Sequence, residues 1–195
     1  MEDIKEKKRE IREDMAKKLK EFSAGELIEK TRGIEERLFE FANFLESKVV
    51  LLYMHANGEV VTNDIIKRCF ESDKTVVLPA FDIKKHTMQS MRVNDLDSDL
   101  KPGPRRVLEP DPERCKIVPI DCIDIAIIPG VAFDEKGGRI GSGEGCYDRL
   151  IPKLSITTRK VALALESQII EQAPVEPHDK HVDIVITEKR IIYKI

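Results

Sequence analysis

Residues 123–150 read IDIAIIPGVAFDEKGGRIGSGEGCYDRL, and three local patterns follow one another along them. The run at residues 123–128, apolar at every position except Asp124, predicts a buried strand, which ends at Pro129 and Gly130. Glycines at positions 141, 143 and 145 predict a loop, and residues 147–150 have the pattern of a helix. A strand, a glycine-rich loop and a helix in this order are typical of sites that bind phosphate groups.

The composition of this glycine loop leaves two interpretations open. Alternating glycines let the backbone approach a phosphate closely, the start of a helix adds unpaired N–H groups, and Arg139 could pair with phosphate oxygens. The spacing differs from GxGxxG, however, and no Lys-Ser/Thr pair follows the last glycine as it does in a Walker A loop. Taken alone, a tight turn explains the loop about as well as a nucleotide site does.

Helices are predicted before this stretch from apolar residues that recur every three or four positions. The first helix covers residues 4–22. Thr62 is expected to cap a later helix that continues through Phe70. Between them, Ser23 and Glu26 form a capping-box pattern ahead of a second helix. Its buried face is predicted to include Leu27, Ile34, Leu38, Phe41 and Leu45.

Short runs rich in β-branched residues predict the remaining strands. They lie at residues 49–53, 75–81, 87–93, 161–165, 182–187 and 191–193. The segments Lys101-Pro-Gly-Pro and Glu109-Pro-Asp-Pro are expected to be stiff loops, because proline fixes the backbone and removes a hydrogen-bond donor.

The alternation of strands and helices predicts one α/β domain over residues 1–195. We expect a helical pair at residues 1–46 and a core at residues 47–195. The core is expected to have three layers, with a mostly parallel central sheet flanked by helices and some antiparallel pairing near the C-terminal end. With 195 residues, of which 41% are hydrophobic, the chain can bury one core of ordinary size.

The charge and cysteine content exclude several classes of protein. Lys and Arg number 33 and Asp and Glu number 36, so no overall field would attract nucleic acid or a membrane. No apolar run approaches the roughly 20 residues of a membrane span, and the N-terminus lacks the apolar core of a signal peptide. The four cysteines show no paired spacing and are expected to be free thiols. We therefore expect a cytoplasmic protein that binds neither nucleic acid nor a membrane. We also expect a monomer or a weak homodimer.

A longer stretch around the glycine loop carries a family resemblance. Residues 127–149 resemble PGxAFDxxGxRLGxGKGYYDR, the signature of the 5-formyltetrahydrofolate cyclo-ligases, also called methenyltetrahydrofolate synthetases. Lys8 and Arg12 match a KxxxR pattern of the same family. Further matches at residues 53–62, 76–79, 108–110 and 164–187 extend the resemblance over nearly the whole chain.

This resemblance implies a fold, a reaction and two cofactors. The family's fold is similar to that of ribose-phosphate isomerases and CoA transferases. Its enzymes convert 5-formyltetrahydrofolate into 5,10-methenyltetrahydrofolate and release ADP and phosphate, with ATP and Mg²⁺ as cofactors. ATP is needed because a formamide oxygen is a poor leaving group until it is phosphorylated.

The resemblance also implies which residues bind each ligand. Met54 and Glu59 would contact the folate, and Asp148 and Asp179 would hold Mg²⁺. The residues themselves offer a metal cluster as an alternative, but it lacks HExxH-like spacing, and Asp183 is the less favoured Mg²⁺ ligand; the cluster would comprise His178, Asp179, His181 and Asp183. The catalytic candidates are Arg139 and Tyr147. The residues expected to bind ATP are Lys8, Arg9, Glu10, Ile11, Arg12, Arg139, Ile140, Gly141, Ser142, Gly143, Glu144, Gly145, Cys146 and Tyr147.

Three departures from the family pattern support competing hypotheses. Glu144 stands where the family has lysine, Cys146 replaces the first tyrosine of its pair, and residues 105–110 lack the aromatic residue and glycine of FGIxEP. One alternative is a paralogue that binds a nucleotide but acts on another substrate, or serves as a non-catalytic binding protein. A second, sugar-phosphate chemistry, rests on fold analogy alone.

Overall fold

The computed structural model describes residues 2–82, 87–103 and 106–194. Its helices are α1 (Glu2–Lys20), α2 (Ala24–Glu40), α3 (Ala42–Glu46), α4 (Asn63–Glu71) and α5 (Cys146–Leu150). Single 3₁₀ turns lie at Ile120–Cys122, Ile151–Lys153 and Glu166–Gln168. The predicted capping box at the start of α2 is confirmed, since Ser23 and Glu26 bond to each other's backbone N–H groups.

The central sheet has eight strands among the described residues: β1 (Val49–Leu51), β2 (Thr75–Asp82), β3 (Thr87–Val93), β6 (Lys116–Ile117), β7 (Ile125–Ile127), β10 (Arg159–Leu163), β11 (Ile184–Ile186) and β12 (Ile191–Tyr193). Their order across the sheet is β12-β11-β10-β7-β1-β2-β3-β6. The five strands from β11 to β2 run parallel, whereas β12 and β3 are antiparallel to their neighbours. The predicted α/β fold with a mostly parallel sheet is confirmed.

Alternate residues of the buried strands contact the layers on opposite faces of the sheet. Val50 packs with Ile34 and Ile65, which come from α2 and α4. Leu51, the next residue, packs with Tyr147 and Leu150 of α5 on the other face. Because both faces are covered, these strands read as continuous apolar runs, and this is why they could be recognised in the sequence.

Helix α1 packs against a hairpin formed by β8 (Ala132–Phe133) and β9 (Arg139–Ile140), and its Leu19 packs against the core cluster that contains the sheet residues. Met15 is buried there beside Ala132 and Ile140, and Ile11 packs against the same cluster. This apolar contact fixes one face of α1 beside the glycine loop, which follows β9 directly.

Two expectations about the helices are wrong. Leu45 is 58% exposed, because the helix breaks at Phe41 and the short α3 begins with a different phase. Thr62 lies at the N-terminal end of α4, but its hydroxyl makes no cap and instead donates to the carbonyl oxygen of Tyr53 at 2.5 Å. Among the described helices, none is both long enough and apolar enough to cross a bilayer.

The proline-rich segments also differ from the expectation of loops. Residues Leu100–Pro102 (β4) and Leu108–Pro110 (β5) form a two-stranded antiparallel ribbon. Pro102 and Pro110 occupy strand ends, where a missing donor is tolerated. The division of the domain at residue 46 stays a prediction.

Candidate active site

A cavity of about 430 Å³ lies between α1, the glycine loop and residues 176–179, and we call it the main cavity. It gathers residues that are far apart in the sequence. Those predicted from the sequence are Lys8, Arg12, Arg139, Ile140, Gly141, Ser142, Gly143, Glu144, Gly145, Cys146, Tyr147, Asp148 and Asp179. Three further lining residues, Lys5, Glu176 and His178, were not predicted.

Two glycines of the loop have backbone conformations that other residues rarely adopt. Gly143 has φ +113° and Gly145 has φ +64°. Gly145 precedes α5, which has only five residues. These conformations explain why glycine recurs in this loop, whereas the flanking residues carry side chains.

Arg12 ties the first helix to this loop. Its Nε donates to the carbonyl oxygen of Gly141 at 2.8 Å, and a Cβ at Gly143 would lie 3.8 Å from its guanidinium group. Burial lowers the pKa of Arg12, and the nearby carboxylate of Asp179 acts in the opposite direction. The half-buried guanidinium therefore lies at the wall of the cavity and close to the loop backbone.

Lys8 lies one helical turn before Arg12 and is only 7% exposed. Its Nζ donates to Glu176 Oε2 at 2.9 Å and to Asp179 Oδ2 at 2.5 Å. Burial alone would lower the pKa of Lys8, but these hydrogen bonds and the two negative charges outweigh it and raise the pKa. Burial likewise opposes the effect of Lys8 on Asp179, whose pKa is nevertheless lowered.

Arg139 and Asp148, predicted to bind different ligands, contact each other. Arg139 Nη2 donates to Asp148 Oδ1 at 2.8 Å, and Nη1 donates to the carbonyl oxygen of Pro129 at 3.1 Å. The same carboxylate oxygen accepts the backbone N–H of Lys180 at 3.0 Å. Through these two bonds the arginine joins Pro129, just beyond the end of β7, to Asp148 of α5. Its side chain is only 4% exposed.

The two predicted folate residues border a second, much narrower space of about 20 Å³, which we call the side cleft. Met54 and Glu59 lie on its wall with Phe81, and Tyr147 borders both the side cleft and the main cavity. Glu59 Oε2 accepts the backbone N–H of Ala56 at 2.8 Å. The structure thus places the two predicted binding regions next to each other, with Tyr147 between them.

Three residues predicted to bind ATP do not border the cavity. Arg9 is 63% exposed and pairs with Glu6 and Glu13 along the outer face of α1. Glu10 is exposed, and Ile11 packs against the apolar cluster around Met15. Helical periodicity explains this, since only residues 5, 8 and 12 of α1 share the face that meets the cavity.

The comparisons with known proteins agree with the sequence signature. The model of the 5-formyltetrahydrofolate cyclo-ligase family matches residues 4–188. The chain belongs to this family. A probable 5-formyltetrahydrofolate cyclo-ligase of Caenorhabditis elegans is 33% identical, with 98% of each chain covered.

A solved member of the cyclo-ligase family has the same fold. The NMR structure of 5,10-methenyltetrahydrofolate synthetase from Aquifex aeolicus matches with a TM-score of 0.83 at 29% identity, covering 95% of this chain and 92% of that one. A mitochondrial cyclo-ligase of Arabidopsis thaliana is 26% identical over 98% of this chain and 78% of its own length. The relatives therefore do not decide the compartment, and a cytoplasmic location stays a prediction.

The two departures from the cyclo-ligase signature within the glycine loop lie at the cavity wall. Arg149 Nη2 donates to the carbonyl oxygen of Glu144 at 2.9 Å, and its distance to Cys146 Sγ is 3.8 Å. Cys146 Sγ lies 3.9 Å from Glu144 Oε2. Cys69, Cys115, Cys122 and Cys146 are all free thiols, as predicted. The third departure, at residues 105–110, begins with Arg105, which lies outside the described residues.

The residues that could hold a metal ion differ in part from those expected in a cyclo-ligase. Ligand atoms of Glu176, His178 and Asp179 all lie within 4.8 Å of one another, and Asp148 is not part of this group. Asp183 instead bonds to the backbone N–H of Lys160 at 3.0 Å. Nothing in the spacing of Glu176 distinguished it, because a single glutamate in a loop is ordinarily a solvated charge.

Proposed function

We propose that this protein catalyses the ATP- and Mg²⁺-dependent conversion of 5-formyltetrahydrofolate into 5,10-methenyltetrahydrofolate, with release of ADP and phosphate. The observation that carries the proposal is the position of Tyr147, which borders both the main cavity and the side cleft. A nucleotide in the first space and a folate in the second would place the terminal phosphate beside the formyl group.

The proposed reaction has two steps at the formyl group. The formyl oxygen takes the terminal phosphoryl group of ATP, and ADP leaves. The neighbouring N–H nitrogen would then attack the formyl carbon, its proton would pass to solvent or to the departing phosphate, and the C–O bond would break to release the phosphorylated oxygen as inorganic phosphate. Such chemistry depends mainly on alignment and on stabilising negative charge, which are tasks for fixed cations and backbone N–H groups.

The residues of the main cavity suit these tasks. Arg12 and Lys5 offer cationic donors, and the backbone of Gly141, Gly143 and Gly145 can approach the phosphates closely. On the other side, Met54 offers an apolar contact and Glu59 a carboxylate for the folate. The side cleft is too narrow for a ring system, so folate binding would require its walls to separate.

The carboxylates in the main cavity fit a magnesium ion. Glu176 and Asp179 offer hard oxygen atoms, which Mg²⁺ prefers, within one group of neighbouring ligand atoms. Asp148 lines the same cavity. When bound there with ATP, the metal would neutralise charge on the phosphates. Four cationic side chains and four carboxylates line this cavity, so its own charge nearly cancels and leaves a need for added positive charge.

A second function keeps the nucleotide but changes the substrate, as in a paralogue or a non-catalytic binding protein. Glu144 and Cys146 favour it, because both border the main cavity and both depart from the family signature. Glu144 adds a negative charge where a lysine would attract phosphate. A small-molecule ligand, no nucleic acid or membrane partner, and a monomer or weak homodimer remain part of the proposal for either function.

An absorbance assay separates the two functions. Purified protein, 5-formyltetrahydrofolate, ATP and Mg²⁺ are followed for the near-ultraviolet band of the methenyl product, with Glu144→Lys measured in parallel. Product that requires ATP in the wild type supports the cyclo-ligase reaction. Product from Glu144→Lys alone supports a paralogue with an altered loop, and no product from either protein rejects the folate reaction.

A further inference from the structure

Lys8 occupies the position in which a cation would neutralise a pair of carboxylates. Its Nζ contacts Glu176 Oε2 at 2.9 Å and Asp179 Oδ2 at 2.5 Å, almost out of contact with solvent. His178 Nε2 lies 3.7 Å from an oxygen atom of each carboxylate. The ligand atoms of Glu176, His178 and Asp179 are close enough together to hold a metal ion. The ammonium group and a metal ion would therefore compete for the same oxygen atoms.

The position of Lys8 on α1 gives its side chain a second destination. Arg12 lies on the same helix face, about 6 Å farther along the axis, and contacts the glycine loop through Gly141. Both side chains border the main cavity. A lysine has four flexible carbons, so its ammonium group can reach either the carboxylates or an anion held by the loop.

We propose that Lys8 is an exchangeable cation that makes metal binding and nucleotide binding depend on each other. Without ligands, Lys8 neutralises Glu176 and Asp179. When a divalent metal ion binds to these carboxylates, Lys8 leaves them and pairs with a phosphate group of the nucleotide. This inference rests on the proposed use of the main cavity for a nucleotide and its metal ion.

The exchange has a thermodynamic consequence. A metal ion that binds alone must displace Lys8 and leave its charge in a partly buried place without a partner, so its affinity is low. A nucleotide that binds alone faces carboxylates from which Lys8 cannot easily leave. When both bind, each cation has an anionic partner, so each ligand raises the affinity of the other by the same factor.

Titration with Mn²⁺, followed by electron paramagnetic resonance in the absence of nucleotide, tests the exchange. We expect Lys8→Met to bind Mn²⁺ about tenfold more tightly than the wild type, because the competing cation is gone. Lys5→Met is the matched control, since it also removes one positive charge from the cavity wall but makes no ion pair with Glu176 or Asp179. Its affinity should change by less than about threefold. Glu176→Gln should bind Mn²⁺ more weakly than the wild type.

An equal increase in Mn²⁺ affinity in Lys8→Met and Lys5→Met would indicate a general electrostatic effect and would overturn the exchange. Unchanged or weaker Mn²⁺ binding in Lys8→Met would also overturn it. Because removing Lys8 leaves two carboxylates without their partner, a second measurement uses the wild type. In ¹⁵N-lysine NMR spectra, the Lys8 ammonium signal should shift when Mg²⁺ and a non-hydrolysable ATP analogue are added together. An unshifted signal at saturation contradicts the exchange.

These measurements are independent of turnover. If the exchange occurs but no methenyl product forms, the folate reaction is rejected and the cation exchange stands. If product forms while Lys8→Met leaves Mn²⁺ affinity unchanged, the folate reaction stands and the exchange is rejected.

Discussion

Arg12 Nε donates a hydrogen bond to the carbonyl oxygen of Gly141 at 2.8 Å, across 129 residues of sequence. The bond joins the first helix to the glycine loop, which borders the main cavity. It leaves Nη2 of the guanidinium group beside Gly143, 3.8 Å from where a Cβ would lie. Helix α1 therefore contributes side chains to the main cavity in addition to its packing contacts.

Replacing Arg12 should weaken nucleotide binding. We expect Arg12→Ala to raise the KM for ATP about tenfold or more, because a hydrogen bond to a charged group contributes about 1.5–3 kcal/mol. Arg12→Lys should recover only part of the loss, since an ammonium group cannot contact loop and phosphate in a fork. Steady-state kinetics measure both. Lys17→Ala, at an exposed cation on the same helix, should leave the KM unchanged, and an equal rise there would contradict this role.

Glu144→Lys should strengthen ATP binding. The substitution changes the charge at the cavity wall by two units, and partly exposed charges typically contribute up to about 1 kcal/mol each. Isothermal titration should show affinity about three- to tenfold higher at low salt, with the gain reduced at high salt. The matched control is Glu13→Lys, the same charge change on the exposed face of α1. A comparable gain from Glu13→Lys would show that the net charge of the molecule, and not the loop, is responsible.

Cys146 should report nucleotide binding without any assay of turnover. It borders the main cavity, whereas Cys122 is exposed elsewhere. Burial raises the pKa of the Cys69 thiol to about 12, and burial also raises the pKa of Cys115, so neither should react quickly at pH 8. We expect a thiol reagent to label Cys122 and Cys146, and Mg²⁺ with ATP to slow labelling at Cys146 alone. Equal labelling rates of Cys146 with and without ATP would place the nucleotide elsewhere.

Glu188 should make stability depend on acidic pH. Its side chain, 11% exposed, accepts from Lys30 Nζ at 2.9 Å and from the backbone N–H of Glu166 at 2.7 Å. Burial would raise the pKa of Glu188, but these hydrogen bonds lower it below its ordinary value of 4.5. A lowered pKa means that the stabilisation is complete above about pH 4.5 and is lost as the pH falls through the folded-state pKa.

Glu188→Gln should therefore lower the free energy of unfolding by about 1–2 kcal/mol at pH 7 and by less at pH 3. Urea denaturation at both pH values measures the difference. Glu36→Gln is the control, because its pair with Arg32 is exposed and should contribute less than about 0.5 kcal/mol at either pH. If Glu188→Gln lowers the free energy of unfolding by the same amount at both pH values, the ionised Glu188 carboxylate does not contribute the predicted stability.

Local patterns in the sequence determined most of the elements. Strands such as β7 and β11 are buried on both faces, so their apolar runs were visible without any knowledge of their partners. The capping box at Ser23 was visible for the same reason, since its two residues are only three positions apart. The β4–β5 ribbon was missed because its stability comes from pairing, whereas its prolines locally favour loops.

The sequence by itself determined the family, the glycine loop and the helical face shared by Lys8 and Arg12. Only the tertiary structure decided what this face meets. Lys8 contacts Asp179 across 171 residues, because apolar contacts around Met15 hold α1 against the β8–β9 hairpin. Helical periodicity fixes which side chains share a face, but a charged side chain has no local signal for its partner. That partner is set by the packing of distant apolar residues, which brings opposite charges together only after the chain has folded.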